Sequence, residues 1–344
     1  MQGIAFLLIS AFCVLLAGIW LGLFFRGIDR KLAAWYQSRI GPPLLQPFYD
    51  LRKLMMKQTI VPENAVPWIF RGAPLLALVS SVVLLFYIWL PYFSFLAGIE
   101  TPIMHSGDII LIMYILMISA IALITGGFVS GSPYSAVGAQ REMVILMSVE
   151  LPLAVTAITF GWKMSVLAPA MPSFSLATIA GNPLWHGMGP LGILGGMLLI
   201  LTLVAAVPAE LAKIPFDQAE ADTEIAEGLL AEYSGRFLAF FTVADAVKTL
   251  AMISLVVILF FPHGIEALTG AGFVIRGFDL TLPADILLFL VKIFVFYFIT
   301  VTTVRIAMAR LKIAQVSRIF LAVLTLVSLS GYVLIYFDPV IASL

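Results

Sequence analysis

Residues 208–235 read PAELAKIPFDQAEADTEIAEGLLAEYSG. Seven of the chain's nineteen acidic residues fall in this window: Glu210, Asp217, Glu220, Asp222, Glu224, Glu227 and Glu232, against a single Lys213. On either side the chain turns to hydrocarbon, residues 189–207 with no charge and 237–261 with only Asp245 and Lys248. Each flanking run is long enough to cross ~30 Å of bilayer core as a helix. The acidic stretch is therefore a connection between two spans. Desolvated carboxylates resist ionisation, so a membrane protein that keeps such a cluster has a use for it: moving protons or ions, or docking a partner.

The same pattern extends over all 344 residues, 62% of which are hydrophobic, with a mean hydropathy of +1.10. Eight apolar runs recur, at about 4–25, 72–96, 108–130, 142–162, 189–209, 237–261, 284–304 and 318–337. No large soluble segment lies between them, so residues 1–344 read as one integral membrane domain. The expected fold is all-α and polytopic: eight transmembrane helices, an interfacial amphipathic helix and an acidic cytoplasmic loop. The first run lacks a basic n-region and is longer than a signal peptide's, which marks a retained first helix.

Arginine and lysine set the orientation. The connections after spans one, three, five and seven hold fifteen of them, the opposite connections only Lys163 and Arg276. Both termini are expected outside, with the acidic loop and residues 26–71 cytoplasmic. Within 26–71, Gln46, Asp50, Lys53 and Lys57 recur at helical spacing while Leu44, Phe48, Leu51 and Met55 repeat on another face. That is an amphipathic helix suited to the membrane interface. Gly41-Pro42-Pro43 breaks the chain before it.

Net charge is zero, which argues against nucleic acid. The one cysteine, Cys13, excludes disulfides and cysteine-ligated clusters within the chain. His105, His186 and His263 are scattered over expected loops, so no bis-histidine haem is expected. No cofactor is expected in this chain.

Charged residues inside spans are the remaining candidates. Glu142 is expected at the cytoplasmic boundary and solvated, Glu150 deeper and either paired or protonated. Asp245 and Lys248, three apart, are placed to pair along one helix. Lys292 needs an acidic partner from elsewhere, or water. In the acidic loop, Glu220, Glu224 and Glu227 would share one helical face, and Asp217 with Glu220 has the spacing of a capping box.

Pro215-Phe216-Asp217, Glu220, Asp222, Glu224, Gly228 and Glu232-Tyr233-Ser234 resemble the signature loop of the H subunit of respiratory complex I, which in mitochondria is NADH dehydrogenase subunit 1. Arg39-Ile40-Gly41-Pro42, Leu45-Gln46-Pro47, Asp50 and Lys53-Leu54 match that family's second signature. The short Gly41-Pro42-Pro43-Leu44-Leu45-Gln46 closure departs from quinone-reducing members, as do Lys213 in place of an arginine and Glu227 in place of a small residue. These features look more like the homologous membrane component of energy-converting, membrane-bound nickel–iron hydrogenases and formate hydrogenlyases, or of a related sulfur-reducing complex.

The resemblance implies a membrane anchor and coupling subunit that itself makes and breaks no bond. Its partners would be peripheral iron–sulfur and nickel–iron subunits, which hold the metal centres, and antiporter-like membrane subunits in the same bilayer. It implies docking through Arg39, Gln46, Asp50, Lys53, Asp217, Glu224 and Tyr233. It implies an ion pathway drawn from Glu142, Glu150, Glu210, Asp217, Glu220, Asp222, Glu224, Glu232, Asp245, Lys248 and Lys292. Rival readings are a quinone-chamber subunit, a stand-alone secondary transporter and a passive scaffold. A transporter would place its charges at mid-membrane on broken helices, whereas most of the acidity here lies in a connection.

Overall fold

The computed structural model describes residues 2–99, 108–265, 274–275 and 278–339. His105 and Arg276 lie outside the described residues, as does the side chain of Asp222. The helices that build the bundle are α1 (Gln2–Tyr36), α2 (Gln46–Met56), α3 (Pro67–Leu96), α4 (Ile109–Val129), α5 (Pro133–Leu167), α6 (Leu176–Gly181), α7 (Pro190–Glu210), α8 (Gly235–Phe260), α9 (Thr281–Ala307) and α10 (Ile313–Tyr336). All but α2 and α6 contain segments long and apolar enough to cross a membrane, eight in number among the described residues. Helix is the answer the solvent demands, since lipid offers no partner for an open backbone N–H or C=O. A two-residue antiparallel hairpin pairs Val274–Ile275 with Phe278–Asp279.

Helix α8 is the central pillar. Every residue from Ala246 to Phe260 is buried, which explains why this run is apolar all round rather than on one stripe. α3 packs along it most extensively, with α1, α2 and α9 completing its shell. A second group, α4, α5, α7 and α10, is joined to the first mainly through α3 and α4. Helices α1, α9 and α10 expose large apolar side chains such as Phe12, Trp20, Val291 and Leu326, the lipid-facing surface of the bundle.

Three of the long helices, α3, α5 and α7, begin at a proline: Pro67, Pro133 and Pro190. Proline suits the first helical position because its missing N–H would have no partner there. Two of them, α3 and α5, start earlier than hydropathy places them. α5 begins nine residues before the expected 142, and α1 continues eleven residues past 25, to Tyr36. Hydropathy registers the bilayer, while the helix continues beyond it wherever capping and packing allow. One consequence is a correction. Lys163, expected in an outer loop, lies within α5 and is fully buried.

The amphipathic helix is α2, packed against α1 and α8 with Pro47 buried. Arg30 of α1 reaches Asp50 at 2.7 Å, and Gln46 donates to the other carboxylate oxygen at 2.9 Å. Burial works against ionisation of Asp50, but these hydrogen bonds and the Arg30 charge outweigh it and hold the carboxyl below its usual range.

Candidate functional site

The acidic connection does not form one helix. It runs as a 3₁₀ turn (Gln218–Glu220), a single α turn (Asp222–Ile225) and a second 3₁₀ turn (Gly228–Leu230). Ala212, Ala226 and Glu227 break the run, with φ of 46°, 50° and 65°. Non-glycine residues held left-handed cost about 1–3 kcal/mol each and persist where the surroundings fix them. Here α5 fixes them. A Cβ on Gly138 would lie 2.7 Å from Leu229 N and 2.8 Å from Ala219 O, so only glycine lets the loop lie this close to the helix.

This geometry overturns the single carboxylate face. Glu220 points into the bundle, Glu224 lies outside against Arg141, and Glu227 is exposed. The capping box is not formed either: no side chain caps the turn at Asp217. Asp217 instead receives Arg310 through both oxygens, Nε to Oδ1 and Nη2 to Oδ2, each at 2.8 Å. Two further bonds tie the same strands together, Leu311 N to Pro215 O at 3.1 Å and Gln218 Nε2 to Leu311 O at 2.8 Å.

Beneath the loop lies a cavity of about 120 Å³ whose wall includes Arg26, Glu142, Glu210, Lys213, Glu220, Asp245 and Lys248. A second, of about 240 Å³, shares Arg26, Lys213, Glu220 and Asp245 with it and adds Asp29, Asp217, Tyr297 and Arg305. Eight segments line the two cavities: α1, α3, α4, α5, the end of α7, the acidic loop, α8 and α9.

Lys248 pairs with the Glu210 carboxylate at 3.0 Å and donates to the Glu210 backbone carbonyl at 2.9 Å. Asp245 binds Lys213 through both oxygens, at 2.7 and 2.6 Å, with Arg26 at 3.6 Å. The expected Asp245–Lys248 pair is therefore not made. Each residue faces a different neighbour, because long-range packing supplied better partners than the same helix could. Asp29 is held by Arg305 at 3.0 Å and Thr302 at 2.8 Å.

Glu142 is the largest correction. Expected at the boundary and solvated, it is 4% exposed, and its Oε2 is buried without a hydrogen-bond partner. It lies in the field of Lys248, Glu220 and Glu210. Extension of α5 to Pro133 carries it inside and roofs it with the loop. Glu220 is the loop's own contribution to the cavity. Removal from water pushes its carboxyl up to about 7, an effect that Lys213 opposes and Asp245 reinforces. A carboxyl there exchanges its proton near neutral pH.

The remaining candidates lie elsewhere. Glu150 is half-buried on the outer side of α5, in an apolar groove of about 320 Å³ with Tyr114, Met117 and Phe174, within electrostatic reach of Glu210. Lys292 meets no carboxylate in the chamber; its ammonium donates to the carbonyls of Phe261 and His263, at the other end of α8. Glu232 is half-buried. Arg39 and Lys53 are exposed, and Ile40 beside Arg39 is wholly so.

Tyr233, expected at a partner surface, is buried. It stacks on Phe70 at 4.1 Å and donates to the Phe70 carbonyl at 3.2 Å, while Ser234 accepts from Ile60 N at 3.1 Å. The Glu232-Tyr233-Ser234 motif anchors the loop to the bundle. Arg26, Lys213 and Asp29 were missed as chamber residues. Their position at the predicted ends of spans gave no sign that they turn inward.

A polytopic helical protein with paired and unpaired charges collected beneath one connecting loop is a membrane protein built around an internal polar chamber. The chain belongs to the NADH dehydrogenase family, whose profile matches residues 8–336. It is 32% identical over 246 residues to hydrogenase-4 component C of Escherichia coli (strain K12), covering 70% of this chain and 71% of that protein. Formate hydrogenlyase subunit 4 of the same organism is 32% identical over 250 residues, 72% of this chain and 75% of that one. The H subunit of the NADH-quinone oxidoreductase of Geobacillus thermodenitrificans is also 32% identical, over 67% of each chain. A chain in the structure of the membrane-bound sulfane sulfur reductase, an archaeal respiratory membrane complex, has the same fold. Its TM-score is 0.77 at 22% identity, covering 96% of this chain and 99% of that one.

Proposed function

We propose that this chain is the membrane anchor and coupling subunit of a multisubunit, ion-translocating redox complex of the hydrogenase type, driven by ferredoxin. Its loops dock the peripheral arm, and its chamber starts the charge pathway. One observation carries the reading: the connecting loop and the membrane helices contribute to a single cavity, with Glu220 and Lys213 from the loop and Glu142, Glu210, Asp245 and Lys248 from the helices. A movement of the loop therefore changes the field on carboxylates inside the bundle. Energy passes as charge rearrangement, with no covalent step in this chain.

The docking surface comprises the exposed Arg39, Ile40 and Lys53 together with Glu224 on the loop's outer face. The nickel–iron centre and iron–sulfur clusters belong to the partner subunits seated there. Glu150, within electrostatic reach of Glu210, carries the pathway on toward antiporter-like subunits in the same bilayer. The chain resides in a prokaryotic cytoplasmic membrane, with termini outside and acidic loop inside; the distribution of arginine and lysine supports this orientation.

The hydrogenase relatives and the short closure between Gly41 and Gln46 support this choice of reaction. Equal identity to a component of an NADH-quinone oxidoreductase supports a second reading, in which the partners reduce quinone. The test is purification of the complex through a tag on this chain, with its subunits and metals identified. Nickel and hydrogen evolution from reduced ferredoxin are expected. Quinone reduction without nickel would establish the second reading, and recovery of the chain alone would overturn both. In the intact complex, Glu142→Gln should leave electron transfer with an artificial donor intact while abolishing the ion gradient in vesicles. Unchanged pumping would remove the chamber from the pathway.

A further inference from the structure

The far end of α8 is built unlike its chamber end. A helix leaves its last carbonyls without backbone partners, and exposed carbonyl oxygens are ligands for cations and water. Here four successive carbonyls, of Phe260, Phe261, Pro262 and His263, are all taken by side chains from other elements. Trp185 Nε1 donates to Phe260 O at 2.8 Å, Tyr92 Oη to Pro262 O at 3.0 Å, and Lys292 Nζ to Phe261 O at 2.9 Å and to His263 O. A second lysine backs the first. Lys163, fully buried at the end of α5, donates to the carbonyls of Leu184 and His186, which flank Trp185 in sequence.

Aromatic rings pack around these carbonyls. Phe160 and Trp185 pack on Phe260 with ring centroids 5.3 and 6.2 Å away, Phe296 on Phe261 at 5.5 Å, and Phe289 on Tyr92 at 4.8 Å. The acids of the region are engaged with backbone: Asp285 accepts from Ile265 N at 2.6 Å and Asp338 from Gly192 N at 2.5 Å. His263 is held below its usual value by burial, then by Lys292 and His186 beside it. Among the described residues, the layer thus contains two ammonium groups, two carboxylates and the imidazoles of His186 and His263, with the ammonium groups seated on carbonyls that a mobile cation would otherwise occupy.

We propose that Lys292 and Lys163 are tethered cations that plug this end of the bundle, closing the chain to ion flow straight through it. The inference rests on the reading that the chain works in an ion-translocating complex. It takes Lys292 out of the conducting pathway and makes it part of the barrier. Ions moved by the chamber must then leave sideways, between subunits.

The test uses the purified complex in liposomes, without redox substrate, with passive leak read as decay of an imposed proton or sodium gradient. Lys292→Met and Lys163→Met should each raise the leak severalfold while electron transfer persists, and Lys292→Arg should keep it at the wild-type level. Assembled Met variants as tight as the wild type would overturn the plug. So that the test does not depend on a variant folding, hydrogen exchange in the wild-type complex provides a second measure. Amides of residues 257–261 should be as protected as those at the middle of α8, and early exchange there would equally refute it. Leak is read without turnover and pumping with it, so failure of the plug and failure of the coupling role give different results.

Discussion

Arg310 grips Asp217 with two parallel hydrogen bonds of 2.8 Å, tying the connection between α9 and α10 to the acidic loop. The fork geometry of guanidinium on carboxylate fixes direction as well as distance. It is the one bidentate arginine clamp among the ion pairs described, and it holds the loop at Asp217.

Replacing Arg310 by Gln should destabilise the protein by about 2 kcal/mol, the scale of hydrogen bonds to charged groups. Arg310→Lys should recover only part of the loss, because an ammonium cannot reproduce the fork. Thermal unfolding in detergent, with hydrogen exchange over residues 213–220, provides the measurement. Equal stability of all three proteins would show the clamp to be incidental.

The Lys248–Glu210 pair is buried, with 9% and 1% of the two side chains exposed. Lys248→Met alone leaves an uncompensated carboxylate and should cost about 3–5 kcal/mol. Adding Glu210→Gln should return much of that. If the double variant is no more stable than the single, the two charges do not act as a pair.

Glu220 predicts a pH dependence with a definite sign. Its carboxyl rises from 4.5 to about 7 on folding, so between these values the native protein holds a proton that the unfolded chain has released. Stability should fall as pH rises through that window and level off above it. The difference between wild type and Glu220→Gln isolates this contribution from other groups. A difference that is flat from pH 4.5 to 7 would contradict the shift.

Glu227 sits exposed at φ 65°. Glu227→Gly should stabilise by about 0.5–1 kcal/mol, the relief of left-handed strain exceeding glycine's added freedom when unfolded. Chemical denaturation of the two proteins side by side measures it; a loss of stability would mean that the Glu227 side chain makes a contact worth more than the strain.

Much of the bundle was legible in the sequence. Eight apolar runs became eight membrane-length helices, and Gln46, Asp50 and Lys53 lie on a short helix, α2. The two signatures pointed to the right family. Less legible were helix ends, since Pro133 starts α5 within a stretch too polar for a hydropathy window. The site was legible only in composition. The sequence marked Glu142, Glu210, Glu220, Asp245 and Lys248 as unusual, but not which of them meet.

From its order of residues alone, the chain determines a membrane location, the number of helices and where charge interrupts them, because the bilayer tests each segment separately for length and polarity. Only the tertiary structure decided the pairings. Lys248 goes to Glu210 rather than to Asp245, Asp217 to Arg310 rather than to a helix end, and Glu142 is buried rather than solvated. Spacing along one helix reports neighbours on that helix, whereas burial and ion pairing depend on what distant segments bring to the same point. At this chamber eight segments arrive together.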